Sequence, residues 1–211
     1  MMSREEGRKE QTRGKQSIQF SHAVHILSGA SIVGKKEGEG PLGKYFDVVG
    51  EEDGLFGCQC WEEAESVLQK EAVTMAIRKA KLEKWEIRTI YAGDLLAQTI
   101  ASSFGIIGFD IPVYGLYGAC ATMGEALSLS SMAVAAGYGN YVVAVTSSHY
   151  GSAEKEFRFP LGYGNQRPLS ASWTVTGSGA CILGRSGGRA RITGITTGKI
   201  IDYGLKDSLN M

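Results

Sequence analysis

The stretch YGLYGACATMGEAL, Tyr114–Leu127, sets a lone cysteine between a glycine-punctuated hydrophobic run and a series of small helix formers. Upstream, IPVYGLY has the apolar character of a buried strand. Downstream, CATMGEALSLSSMAVAAG has that of a helix closed by Gly137. NYVVAVTSS then supplies a further strand, and this strand–helix–strand alternation predicts parallel pairing. Cys120 therefore falls where a strand ends and a helix begins. Unsatisfied backbone N–H groups and the positive end of the helix dipole meet there, a setting that favours a thiolate or holds a carboxylate or oxyanion. The thiol can be a nucleophile, a ligand contact or a packed core group.

The rest of the chain extends the same pattern. AVHILSGASIVG reads as a strand running into turns, and KKEGEGPLGKYFDVVGEEDGLFG as a long glycine-rich, acidic connection of the kind that is often functional. From Trp61, the positions Ala64, Val67, Leu68, Ala72, Met75 and Ala76 mark one face of an amphipathic helix, with Glu and Lys on the other. EIRTIYAGD returns to strand character. Asp94 is placed to cap a helix through LLAQTIASSF, ended by Gly105. WTVTGSGACILG and RARITGITTGKII read as consecutive strands, expected as a hairpin turning at RSGG. The sum is an α/β fold, a mixed sheet with packed helices.

Composition bounds the function. The 211 residues are 43% hydrophobic and 21% charged, enough for one sizeable core. Twenty-two basic and 22 acidic residues cancel, so no charge excess points to nucleic acid or to a general attraction for anionic lipid. The polar start, residues 1–20, has no apolar segment and is expected to be a disordered tail, with the folded unit over 21–211. No run supplies the roughly 18 apolar residues of a membrane span, so any membrane association is expected to be peripheral. Cys58 and Cys60 lack the further ligands of a metal site and read as plain reduced thiols.

FDIPVYGLYGACATMGEALSLSSMAVAAGYGNYVVAVTSSH followed by WTVTGSGACILG resembles the thiolase superfamily, which includes thiolases and the 3-ketoacyl carrier-protein synthases. In that superfamily a strand delivers a nucleophilic cysteine to the start of a buried helix, which puts Cys120 at the nucleophile position. A closer resemblance, carried by GPLGKYFD, YAGDLLAQ, YGACATMGEAL, SSHYGSAEKEFRFPLGYGNQRP and DYGLKDSLNM, is to thiolase-like sporulation proteins of spore-forming bacteria. That resemblance implies binding of dipicolinic acid (pyridine-2,6-dicarboxylic acid) and a part in its uptake into the developing spore. The implied partners are other proteins of the spore inner-membrane assembly, and the implied location is the forespore cytoplasm or that membrane's surface. A homodimer is also implied; a cofactor is not. Because a complete thiolase fold has two similar halves, this chain is expected to represent the first, with the second half missing and an exposed apolar patch in its place.

Condensing enzymes of the superfamily draw histidine or asparagine partners from the second half. This chain has only His22, His25 and His149. SHAVHI reads as alternation on a sheet face, which makes His22 and His25 structural. His149 ends a strand at its carboxyl side, where α/β sheets place ligands, and is either a pocket donor or a satisfied histidine. A flat dianion calls for bidentate cations, for which Arg158 and Arg167 are the candidates beside Phe157, Phe159 and Tyr163. The alternative for Arg158 is pairing with Glu154 or Glu156 on a solvated loop. Tyr117 and the backbone and hydroxyl of Thr176 to Gly179, Ser178 among them, complete the candidate pocket. Turn or strand packing is the alternative for these. The reading favoured by the absent catalytic partners is a non-catalytic binding protein; the alternative is an acyl-transferring condensing enzyme using Cys120.

Overall fold

The computed structural model describes residues 11–51, 54–157, 174–204 and 206. Its centre is strand β6, Tyr141–Ser148, where VVAV is apolar on both faces because both are covered. Val143 and Val145 point to one side, onto helix α1 (Trp61–Ala80); Val142 and Ala144 point to the other, onto helix α3 (Thr122–Ala135). Two apolar layers thus share one sheet, each set by the two-residue alternation of the strands. β4 (Ile87–Gly93) pairs parallel with β6 on one edge and with β5 (Val113–Leu116) on the other, as strand–helix–strand units require.

The other edge of β6 is antiparallel. It takes β7 (Gly177–Gly184), which in turn pairs with the 17-residue β2 (Ser17–Val33). β8 (Ala190–Thr196) does not form the expected hairpin with β7. It pairs antiparallel with the far edge of β2, so that β2 lies between the two strands and the RSGG connection crosses over it. β7 already carries β6 on one edge and β2 on the other, which leaves β8 no edge of β7 to join. The short strands β1 (Thr12–Arg13) and β3 (Val48–Val49) also pair with β2.

The polar start is therefore shorter than 1–20. Strand pairing begins at Thr12, and Ile18 and Phe20 join the core between the sheet and α3. The first ten residues lie outside those described.

The helices depart from expectation in two ways. Helix α2 covers Ile100–Ile106, so Gly105 does not end it. A Cβ on Gly105 would lie 2.6 Å from the carbonyl oxygen of Ser66, and the bare backbone is what lets α2 close on α1. The buried arc of α1 is also wider than its apolar stripe: Glu65 and Gln69 are wholly buried among Ala64, Leu68 and Ala72. They face α2 and helix α4 (Tyr150–Phe157), which pack beside α1 at the end of the sheet. Gly137, at φ +82°, closes α3 as anticipated, with the Gly137 and Tyr138 N–H groups reaching back to Val134 and Ala133. No helix among the described residues is long and apolar enough to cross a membrane.

Candidate functional site

Ligand sites in such sheets lie beyond the carboxyl ends of the parallel strands. Here those ends are Asp94 after β4, the turn after β5 and Thr146–Ser148 of β6, with the start of β7 opposite. Together they line a cavity of about 690 Å³. That volume lies in the range of roughly 300–1,000 Å³ found for small-molecule sites.

Cys120 stands in the lining, exposed, within the one-turn 3₁₀ segment Ala119–Ala121 that links β5 to α3. The link is a tight one. Ala119 adopts φ +47°, which costs a residue with a Cβ some strain. Thr122 holds the turn from both sides: its hydroxyl donates to the Ala119 carbonyl (2.7 Å) and accepts the Gly118 N–H (3.1 Å). The end of β4 presses against the same turn. A Cβ on Gly93 would collide with the Thr122 methyl and come within 2.6 Å of the Leu116 carbonyl oxygen.

Asp94 is almost fully buried in the cavity wall. It serves the next helix as expected, although from a distance: its carboxylate accepts from the N–H of Leu96 (2.9 Å) and from the N–H (2.7 Å) and hydroxyl (2.6 Å) of Ser102. Ser102 sits in the first turn of α2, so the bond fills the role of an N-cap.

Of the candidates read from the sequence, Cys120 and Ser178 line the cavity. Ser178 donates its hydroxyl to the Thr146 carbonyl (2.9 Å), joining β7 to β6. Tyr117 lies outside the lining, exposed, with its hydroxyl 3.3 Å from the carbonyl of Leu95. His149 also lies outside it, fully buried against Trp61 at 6.4 Å between ring centroids. Its Nδ1 accepts the Gly151 N–H (3.0 Å), which leaves Nε2 as the protonated nitrogen donating to the Gly54 carbonyl (2.6 Å). Burial lowers the ring's pKa, so the neutral form is the stable one. Both nitrogens are thus engaged inside the protein, the second of the two readings left open for this residue. His25, with Nδ1 2.6 Å from the Gly187 carbonyl, is also remote from the cavity. Arg158, Arg167, Phe159 and Tyr163 lie outside the described residues.

Sequence reasoning missed the polar cluster behind the cavity. Glu65 accepts from Ser147 (3.0 Å) and Ser152 (2.7 Å), and Gln69 Nε2 approaches Gly93 O (3.0 Å), Ser102 Oγ (2.9 Å) and Ser147 Oγ (3.0 Å). Desolvation raises the pKa of Glu65 to about 7 against the pull of the two serines, and the neighbouring charges of Asp94 and Glu62 add to the rise. The available signal was the i, i+4 placement of Glu65 and Gln69 beside Ala64, Leu68 and Ala72. The four cysteines are free thiols, and no group of three or more metal-ligating side chains gathers among the described residues.

Comparison with known proteins places the chain in a family and a fold. Residues 14–211 match the family model described as Stage V sporulation protein AD. The protein of that name from Bacillus subtilis (strain 168) is 38% identical over 200 residues, covering 94% of this chain and 58% of its own length. This chain thus spans little more than half of that relative. Among solved structures, 3-oxoacyl-(acyl-carrier-protein) synthase III from Aquifex aeolicus superposes with a TM-score of 0.52 at 14% identity, over 77% of this chain and 54% of that one. OleA from Xanthomonas campestris gives a TM-score of 0.53 at 13% identity, over 79% and 57%. At such identities the likeness is one of fold: this is a thiolase-like α/β architecture, corresponding to about half of those chains.

Proposed function

The chain belongs to the stage V sporulation protein AD family, and from that membership we propose that its cavity binds dipicolinic acid without chemically changing it, in support of the acid's uptake into the developing spore. The observation that carries the reading is the cavity of about 690 Å³ at the strand ends, with Cys120 and Ser178 in its wall. It is roomy for a single pyridine ring with two carboxylates. Arg158 and Arg167 are the proposed cations of the site, supplied by the segment that follows α4. The wider proposal places the protein in the forespore cytoplasm or at the inner-membrane surface of the spore, in contact with the proteins of that membrane's uptake assembly and paired with a second copy of itself.

The non-catalytic reading is supported by the membership itself, since the matching family and its Bacillus subtilis relative are named for sporulation. One observation favours the alternative, an acyl-transferring enzyme: Cys120 is exposed in the cavity on a strained strand-to-helix turn. Intact-mass analysis after incubation with acetyl-CoA separates the two. An unmodified chain fits the binding protein, and an acyl adduct on Cys120 fits the enzyme. Binding itself is tested by calorimetric titration with dipicolinate, where no heat at millimolar ligand rejects the proposal.

A further inference from the structure

Among the described residues the cavity wall carries the carboxyl groups of Asp94 and Glu154, and the cations proposed for it, Arg158 and Arg167, come from outside those residues. Four of the wall's hydroxyl hydrogens point away from the cavity. Thr122 donates to the Ala119 carbonyl, Ser148 to the Val175 carbonyl (2.5 Å), Ser178 to the Thr146 carbonyl and Ser147 to Glu65 Oε1. These hydroxyls therefore present lone pairs to the cavity. A carboxylate set against these four would meet acceptors.

The layer behind the wall supplies a remedy. Ser147 lines the cavity, and its oxygen joins Gln69 Nε2 on one side and the wholly buried Glu65 on the other. From Gln69 the chain continues through Ser102 to Asp94, and from Glu65 to Ser152 of α4. This network is short of hydrogens. The Oε1 atom of Gln69, a residue with no exposure, has no hydrogen-bond partner. One added proton on Glu65 changes the polarity of the wall. The new carboxyl O–H can donate to Ser147 Oγ, which then accepts from both Gln69 and Glu65, and the Ser147 hydrogen is released to turn into the cavity.

We propose that the cavity takes up a carboxylate anion together with a proton, the proton residing on Glu65 and the anion receiving the hydroxyl hydrogen of Ser147. The inference deepens the reading of this cavity as a carboxylate site and rests on it. The proton comes from solvent, and no other bond is made or broken. Burial keeps the Glu65 carboxyl in balance between its two forms near neutral pH, so that an added negative charge in the cavity tips it toward the acid. The charges acting on Glu65 are themselves acidic: Asp94 after β4, and Glu62 on α1, which is paired with Lys155 of α4 at 2.6 Å. Between β6 and α4 stands His149, kept neutral by burial, and α2 contributes the uncharged Ser102. Cys120 and Glu154 complete the titratable groups of the wall.

Cys120 offers a probe that does not depend on the identity of the natural ligand. Iodoacetate and iodoacetamide alkylate the same thiolate, but only the first brings a carboxylate, so the ratio of their rates at Cys120 cancels the thiol's own ionisation. Measured by peptide mass spectrometry between pH 6 and 8.5 on the 211-residue chain, the ratio is expected to rise as pH falls, by roughly tenfold for each unit by which the anion raises the carboxyl's pKa. In Glu65→Gln it is expected to stay near the low-pH value throughout, and in Ser147→Ala the gain at pH 6 is expected to shrink. Circular dichroism of both variants checks that they are folded. A ratio flat with pH in the parent chain, or one that follows pH equally in Glu65→Gln, overturns the inference. Full protection of Cys120 by dipicolinate alongside a flat ratio would reject the proton coupling alone. A pH-dependent ratio without protection by dipicolinate would reject that ligand alone.

Discussion

The Oγ atom of Ser147 lies 3.0 Å from Oε1 of Glu65, which sets a carboxyl group with no solvent exposure one hydrogen bond behind the cavity wall. Ser147 belongs to the central strand β6 and Glu65 to α1. The contact ties the site to the core at the point where helix and sheet meet.

A buried carboxyl of raised pKa makes stability depend on pH. In the unfolded chain Glu65 titrates at an ordinary value near 4.5, and in the folded protein at about 7. The folded state therefore holds the proton more tightly, and stability falls as pH rises from about 4.5 to 7. The loss across that window is about 3 kcal/mol. Urea denaturation of the parent chain and of Glu65→Gln is expected to show this slope in the parent and its removal in the variant, which is the more stable of the two above pH 7.

His149 acts in the opposite sense. Its folded-state pKa is depressed below 6.5 by burial, so the unfolded chain takes up a proton first as pH falls, and the folded state weakens once pH drops below 6.5. Replacement of His149 by Ala leaves the Gly54 carbonyl and the Gly151 N–H without their partner and a void beside Trp61. The expected cost is about 2–4 kcal/mol at pH 7.5, read from the urea midpoint. The variant should also lack its share of the acid destabilisation.

Gly93→Ala tests the close approach of β4 to the cysteine turn. The added methyl meets the side chain of Thr122 and the backbone of Leu116. The expected loss is about 1–3 kcal/mol, together with altered alkylation of Cys120 by iodoacetamide. An unchanged Tm and an unchanged alkylation rate would show that the turn yields without strain.

Thr122→Val keeps the volume of the side chain and removes the hydroxyl that spans Gly118 and Ala119. A loss of about 1–2 kcal/mol is expected from the two bonds. Fast amide exchange at Gly118 in the variant is the residue-level readout.

Much of the fold was legible in the sequence because its signals are local. The alternating unit around Tyr114–Leu127, the capping role of Asp94 and the closing Gly137 each follow from a few neighbouring residues. The hairpin expected at RSGG failed because β2 is long enough to pair on both edges, and only the tertiary arrangement says which strands take them. The site divides the same way. Cys120 and Ser178 could be read from strand-end motifs, and both line the cavity. His149 carried the right position for a ligand contact, but the carbonyl of Gly54, 95 residues earlier, claims its ring. Glu65 fell with the Glu and Lys residues read as the polar side of an amphipathic helix, because sequence gives the period of α1 and not the number of its neighbours.

The most direct test of the proposed function is calorimetric titration of dipicolinate into the 211-residue chain at pH 6.5, repeated after alkylation of Cys120 with iodoacetamide. Saturable binding that is lost when Cys120 carries the added group is expected. Absence of binding at millimolar dipicolinate, or binding that survives the alkylation unchanged, would contradict the assignment of the ligand to this cavity.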